Sequence, residues 1–203
     1  IGVGLVGSEM CIRDSVGNVR NIVVSDQSGQ SNIMSRLNAI GIKIKKDDPK
    51  IKKLLHEVKD REFIGYSYDG ADASFELLAR RLMGDIPRYI SINEYDVSVK
   101  KDSSGEVISF AKAKLEVDGH EILCEGEGNG PVNALDNAIR KNVNKLEKYS
   151  EYLKDLKLVD YKVRILNTGT GAVTRVSIES ADSKHGNWFT IGVSPNILSL
   201  IHI

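Results

Sequence analysis

The sequence predicts an α+β fold, in which a helical subdomain precedes a pseudo-symmetric repeat of β-β-β-α units whose last helix is truncated. The hydrophobic period is that of helices up to about residue 84 and becomes two after Pro87. Beyond that point, the acid-Tyr strand at positions 94–99 recurs at positions 160–165. The Gly-x-Gly-Pro turn at 128–131 recurs at 192–195, with Ser for the second Gly. Two similar units in one chain favour a ligand site at their seam.

Three helices are expected in the first part of the chain. The first ends at Gly41, and the second begins at Asp48, an N-cap residue followed by proline. Its apolar residues recur every three to four positions, with lysines on the opposite face. The third helix follows Asp69-Gly70 and ends at Gly84. These patterns predict a small helical bundle that ends near Pro87.

Strands are expected after Pro87, because apolar and polar residues alternate there. One face of each strand would be buried and the other exposed to solvent, as in an antiparallel sheet that is backed by helices. In the first unit the turns at 103–105 and 118–119 join the strands, and a helix runs from Pro131 to about Tyr149. The second unit repeats three strands, at residues 159–166, 173–180 and 188–193.

The two ends of the chain differ from the rest. Residues 1–15 and 198–203 resemble translations of sequencing adapters, and we expect both to be artefacts. The credible chain then divides into a helical part, residues 16–86, and a repeat part, residues 87–197. We expect it to be a fragment of a longer protein.

Composition bounds the possible partners. The 28 basic and 28 acidic residues balance, so the charge gives no support to binding of nucleic acid or of an anionic membrane. No run of about 20 apolar residues is long enough to span a bilayer. Outside residues 1–15 the one cysteine is Cys124, which fits a reducing cytoplasm and a small buried side chain.

Two segments of the repeat part are distinctive: residues 124–136 (CEGEGNGPVNALD) and 158–164 (LVDYKVR). Both resemble the C-terminal regulatory domain of the 2-isopropylmalate synthase and citramalate synthase family. Residues 65–78 (GYSYDGADASFELL) resemble the citramalate branch more closely than the isopropylmalate branch, and residues 24–32 resemble the start of the family's linker subdomain. The resemblance implies a helical linker subdomain over 16–86 and an allosteric, dimerising regulatory domain over 87–197.

The resemblance also implies what the parent enzyme does. The family condenses acetyl-CoA with a 2-oxo acid, which is pyruvate in the citramalate branch and leads towards isoleucine. Its chemistry resides in a TIM barrel with a divalent metal, so we assign no catalytic residue, metal ligand or cofactor to this chain. The histidines here show no H-x-H pairing. We therefore expect a cytoplasmic, homodimeric acyltransferase as the parent, and no activity from this fragment alone.

A branched-chain amino acid effector is the ligand that the resemblance implies. By matched motif position, the residues beside it are Gly128, Gly130, Val132, Asn133, Leu158, Tyr161 and Ile165. A helix N-terminus attracts carboxylates, and glycines allow a ligand to approach the backbone. Tyr161 and Ile165 are four apart in a strand and share a face. Asn133 replaces the small residue usual in leucine-sensing relatives, which favours isoleucine.

Other functions remain open on the sequence. One is the regulatory domain of a 2-isopropylmalate synthase, which responds to leucine. Another is a stand-alone amino-acid-binding or dimerisation module without an enzyme. A third is an RNA-binding β-β-β-α module, but such modules grip phosphates with lysines at the helix start. Residues 131–136 contain no lysine and one acid. Trp188 is interpreted as core or interface packing rather than as a platform for a ligand.

Overall fold

Three helices form the first part of the chain in the computed structural model, which describes residues 29–84 and 86–200. They are α1 (Gln30–Ala39), α2 (Pro49–Phe63) and α3 (Asp72–Met83). The Asp48 side chain accepts a hydrogen bond from Lys50 N at 2.9 Å, and Gly84 ends α3 with a φ of 80°. The predicted start of α2 and the predicted end of α3 are therefore confirmed. The prediction for residues 1–15 falls outside the described residues.

The helical part has a core of its own. Arg36 is buried beneath it, donates to Tyr68 O at 2.9 Å and forms an ion pair with Asp72. The Arg36 guanidinium also lies 4.7 Å from the centroid of the Phe75 ring. The fully buried apolar side chains of this core are Ile33, Leu37, Ile51, Leu54, Val58, Phe75 and Ala79. They come from all three helices, so the bundle is held by one shared cluster.

Alkaline pH should destabilise this core through Tyr68, which is 1% exposed. Burial raises the pKa of Tyr68 to about 12, above its ordinary value of 10.0. The folded state therefore favours the neutral phenol, and this contribution is complete below pH 10 and is lost as the pH rises through 12. Urea unfolding should show about 2 kcal/mol less stability at pH 12 from this group alone. In Tyr68→Phe the decline between pH 10 and 12 should be smaller by that amount; an equal decline would contradict the assignment.

Within the described residues, six strands form two separate antiparallel sheets. The first sheet contains β1 (Ile90–Lys101), β2 (Val107–Val117) and β3 (His120–Gly128), in chain order. The second contains β4 (Lys157–Ile165), β5 (Thr174–Asp182) and β6 (Gly186–Ser194), also in chain order. The predicted α+β class with two three-stranded units is confirmed.

The helix that follows the first sheet is shorter than predicted. We expected one helix from Pro131 to about Tyr149, but α4 (Pro131–Val143) ends early and α5 (Glu147–Leu153) follows. Leu146 between them has an extended backbone, with a ψ of 114°. The break turns apolar side chains of the second segment back onto the first core, where Leu146, Tyr149 and Leu153 pack. Helical periodicity continues across the break, which is why the pattern did not reveal it.

Both units carry the same irregularity, which supports the repeat. A β-bulge interrupts β1 between Ile92 and Glu94, and another interrupts β4 between Leu158 and Asp160. Each bulge immediately precedes the acidic residue of the acid-Tyr motif, so the two occupy equivalent positions of the repeat. A bulge adds one residue to a strand and shifts the side-chain alternation by one position. The two units therefore present their tyrosines in the same way.

The correspondence of the two units extends through the third strand. In the first sheet Tyr95 is paired with Ala113, which is paired with Cys124. In the second sheet Tyr161 is paired with Ile178, which is paired with Thr190, so Cys124 corresponds to Thr190. Two positions further on, Gly126 corresponds to Gly192. The sequence pattern paired Gly192 with Gly128, so that alignment was wrong by two positions. The same correspondence places the start of the second helix at Ile197, where a 3₁₀ helix (Ile197–Leu200) begins.

The 3₁₀ helix joins the two units. Asn196 caps it by accepting from Leu198 N at 3.0 Å, and its side-chain amide donates to Tyr95 Oη of the first unit at 2.8 Å. Leu198 packs on the first core, whereas Leu200 is buried against Val176 in the second. The segment after residue 197, which we expect to be an artefact, thus contributes side chains to both cores in this structure.

Candidate ligand-binding site

A cleft of about 550 Å³ lies between the first turns of α4 and the second sheet, and we call it the seam cleft. Helix α4 has its other side on the first sheet, so this cleft is the seam between the two units. The residues that line it are Asn129, Gly130, Pro131, Val132, Asn133, Asp136, Arg140, Leu156, Leu158, Tyr161, Ile178, Ser180 and Trp188.

The N-terminus of α4 opens into the seam cleft without a side-chain cap. Gly130 is the N-cap residue, with an extended backbone, and its carbonyl accepts the first helical bond from Ala134 N at 2.9 Å. The N–H groups of Val132 and Asn133 precede that bond and have no intrahelical acceptor. A Cβ built on Gly130 would meet nothing within 4 Å. Free N–H groups beside open space form a site for an anion such as a carboxylate.

Gly128 does not line the seam cleft. A Cβ built there would lie 2.4 Å from Asn133 Oδ1 and 2.7 Å from Ala134 N. The space beside this glycine is therefore occupied by α4 itself. Gly128 allows the helix to approach β3, and the expectation that it lets a ligand approach the backbone finds no room in this geometry.

The facing wall of the seam cleft is one face of the second sheet. Leu158 is paired with Ser180, which is paired with Trp188. Tyr161 is paired with Ile178, which lies two positions from Ser180 along β5. Paired residues in an antiparallel sheet share a face. Leu158 and Tyr161 are three positions apart, an odd spacing, and they share this face because the bulge at position 159 lies between them. The wall is apolar except for Ser180 and the Tyr161 hydroxyl.

The Tyr161 hydroxyl is buried and forms no hydrogen bond with the described residues. Burial raises the pKa of the Tyr161 phenol, so it stays a neutral donor at physiological pH. An unpaired buried hydroxyl costs free energy. A ligand that supplied a polar partner inside the seam cleft would recover that cost.

A charged pair lies along α4 on the same side. Arg140 Nε donates to both carboxylate oxygens of Asp136 at 2.8 Å. Both side chains line the seam cleft and remain about a third exposed, with 33% for Arg140 and 28% for Asp136. Neither was predicted as a site residue, although their spacing of four positions on a helix is a recognisable signal. Asp136 offers a ligand an anionic partner one turn beyond the helix N-terminus.

The structure brings five of the seven predicted site residues to the seam cleft. They are Gly130, Val132, Asn133, Leu158 and Tyr161. Ile165 shares the face of Tyr161 but lies at the end of β4, opposite Thr174, and is 66% exposed. Gly128 lies under the helix, as described above. Trp188, interpreted from the sequence as packing, lines the cleft instead; no local signal could have placed it there, because its position depends on cross-strand register.

The described residues offer neither a metal centre nor a membrane span. Within residues 29–84 and 86–200, no group of three or more His, Cys, Asp and Glu side chains is placed to hold a metal ion. Among the helices of those same ranges, none has both the length and the apolar character needed to cross a bilayer.

The fold and the cleft define a class: a pseudo-symmetric α+β domain with a cleft between its halves. Residues 69–199 match the family described as the LeuA allosteric (dimerisation) domain. The match covers more than half of the chain, and the chain belongs to this family. The match extends to residue 199 and so includes two residues of the segment after 197 that we expect to be an artefact.

Curated relatives agree on a name. The chain is 43% identical to (R)-citramalate synthase of Aquifex aeolicus over 186 residues, which are 90% of this chain and 34% of that protein. It is 43% identical to the enzyme of the same name from Geobacter sulfurreducens, with the same coverage. For that of Sulfolobus acidocaldarius the identity is 36%, over 90% of this chain and 33% of the relative. The chain thus spans about a third of the length of these relatives.

Proposed function

We propose that this chain is the regulatory part of an (R)-citramalate synthase and that its seam cleft binds isoleucine as a feedback effector. The single observation that carries the proposal is the uncapped N-terminus of α4, which faces an apolar wall across the cleft. The family match and the names of the relatives support the assignment of the parent.

The polar groups of the seam cleft complement an amino acid. The effector carboxylate would accept hydrogen bonds from the N–H groups of Val132 and Asn133, where the helix dipole favours negative charge. The ammonium group would pair with Asp136, which is already held in place by Arg140. The Tyr161 hydroxyl would donate to the carboxylate and so gain the partner it lacks.

The remaining surface of the cleft suits a branched aliphatic side chain. Leu158, Ile178 and Trp188 form an apolar wall that excludes water from such a group. Asn133 favours isoleucine over leucine, because its side chain makes the seam cleft narrower on the side of α4. Leucine-sensing relatives have a small residue at this position. If leucine bound more tightly than isoleucine, the parent would belong to the 2-isopropylmalate synthase branch. If the chain were a stand-alone module, it would bind the amino acid without being part of an enzyme.

The parent would transfer the acetyl group of acetyl-CoA to pyruvate, with water releasing CoA, and give citramalate. In this proposal a TIM barrel elsewhere in the parent supplies the divalent metal and the catalytic groups. This chain would have no synthase activity alone. The parent would be a cytoplasmic homodimer, which agrees with the dimerisation named in the family description and with the free, buried thiol of Cys124.

A fluorescence titration tests the site directly, because Trp188 is the only tryptophan of the chain. Addition of isoleucine to the 203-residue chain should change the intensity or wavelength of its emission in a saturable way. Leucine should saturate at a concentration at least about tenfold higher, and glycine should give no change. The apparent Kd should rise about tenfold in Tyr161→Ala, with Tyr152→Ala, an exposed tyrosine outside the cleft, as the control.

The titration has a clear negative outcome. A flat response of Trp188 to every branched-chain amino acid, together with no heat of binding in calorimetry, would contradict the proposed function.

A further inference from the structure

The second sheet is in contact with two parts of the molecule at once. One face of β5 and β6 forms the wall of the seam cleft through Ile178, Ser180 and Trp188. The helical subdomain contacts the same two strands away from that face. We propose that Ser74 and Arg175 couple occupancy of the seam cleft to the position of the helical subdomain. This inference rests on the proposed function, because it specifies how binding at that site is relayed.

The first link joins α3 to β6, which is the edge strand of the second sheet. The backbone N–H of Ile191 donates to Ser74 Oγ at 2.8 Å, across the free edge. Ile191 is 7% exposed and points away from the cleft, whereas its neighbour Thr190 is paired with Ile178 on the cleft face. A shift of β6 caused by a ligand against Trp188 would therefore move the donor that Ser74 accepts from.

The second link joins the end of α2 to β5. Arg175 Nε donates to the carbonyl oxygen of Gly65, just after that helix. Burial of the Arg175 guanidinium, and then its neighbour Arg164, lower its pKa, whereas Glu62 opposes this shift. Arg175 lies next to Thr174 and Val176 in the strand that also carries Ile178, so it moves with the cleft wall.

Gly65 fits closely against the same sheet. Its φ is 114°, and a Cβ built on it would lie 2.3 Å from Leu166 Cδ1 and 3.5 Å from Val193 Cγ1. A side chain at this position would force the Leu166 side chain, which follows β4, to move. The backbone of residue 65 therefore lies close to Leu166 and to Val193 of β6, so a displacement of these residues would reach it.

Helix α3 lies along β6 around the Ser74 contact. The helical core and the core of the second sheet are separate clusters. Beside Arg175 lies a cleft of about 600 Å³ with Phe63 on its rim, and Phe63 is 91% exposed. Two bodies with separate cores can shift relative to one another at such a junction. An effector that binds one relative position more tightly shifts the population towards it.

Hydrogen–deuterium exchange of the 203-residue chain, with and without saturating isoleucine, tests the coupling. In the wild type, isoleucine should slow exchange about threefold or more both in cleft peptides around residues 129–140 and in peptides covering residues 64–80. In Ser74→Ala/Arg175→Ala the slowing at the cleft should remain and that at residues 64–80 should disappear. Arg164→Ala, which removes the neighbouring arginine but neither link, should behave as the wild type.

The outcomes separate the two hypotheses. Slowing at the cleft but not at residues 64–80 of the wild type would overturn the coupling and leave the proposed function standing. Equal slowing at residues 64–80 in wild type and double variant would overturn the assignment to Ser74 and Arg175. No slowing anywhere would overturn the proposed function and this inference with it. If the double variant loses its thermal transition, Ser74→Ala alone is the test, and it should lose at least half of the effect at residues 64–80.

Discussion

Gly126→Ser should lower the free energy of unfolding by about 3 kcal/mol or more, which is the largest stability effect that we expect from a single substitution in this domain. A Cβ at position 126 would lie 2.5 Å from Ala138 N and 2.7 Å from Ala138 Cα. These are backbone atoms of α4, and they can yield only if the whole helix moves off the first sheet. Such a shift would also expose Leu135, which is fully buried.

Gly130→Ser is the matched control for this experiment. The two glycines are four positions apart, but a Cβ on Gly130 would meet nothing within 4 Å. Serine is also a better N-cap residue than glycine, by a few tenths of a kcal/mol. Urea unfolding of both variants should therefore show a large loss of stability for Gly126→Ser and a small gain for Gly130→Ser. Losses of similar size would mean that α4 does not approach β3 as closely as described.

The contrast between these glycines shows why local sequence could not assign their roles. The run of alternate glycines at 126, 128 and 130 resembles a single ligand-binding loop. In the structure the first two allow a helix to lie on a strand, and the third leaves its N-terminus open. The first two lack a side chain because α4 occupies the space beside them, whereas the space beside the third is open. Only the packing of α4 against β3 separates the two uses.

Other features were predictable because they depend on local chemistry. The alternation of apolar residues indicated the first two strands, and the turns and the repeat of the unit indicated the other four. The Asp48-Pro49 and Gly84 signals marked helix ends that the structure confirms. Trp188 was out of reach, since its role depends on the register between β5 and β6. The bulge at residue 159 was equally hidden, and it changes which residues of β4 share a face with Tyr161.

The second large effect that we expect is a loss of isoleucine affinity when a negative charge is introduced at the N-terminus of α4. Gly130→Asp should weaken isoleucine binding about 100-fold, because a carboxylate at the N-cap would accept the N–H groups intended for the effector and repel its carboxylate. That loss corresponds to about 2.7 kcal/mol, in the range for charge-assisted hydrogen bonds. The same substitution should stabilise the fold by about 0.5 kcal/mol, since Asp is a favoured N-cap residue beside a positive helix end. Calorimetry with isoleucine and urea unfolding of the same preparation measure the two quantities.

The expected changes in isoleucine affinity and in the free energy of unfolding have opposite signs, which distinguishes this prediction from general damage to the fold. A variant that loses binding because it is damaged also loses stability, whereas Gly130→Asp should lose binding while it gains stability. Gly130→Asn is the neutral control: it caps the helix as well but adds no charge, so its affinity should fall only about tenfold. If Asp and Asn weakened binding equally, electrostatic repulsion would play no part, and the effector carboxylate would have to lie elsewhere in the seam cleft. Arg140 would then be the remaining cation of the cleft lining, and Arg140→Gln rather than Gly130→Asp would abolish binding.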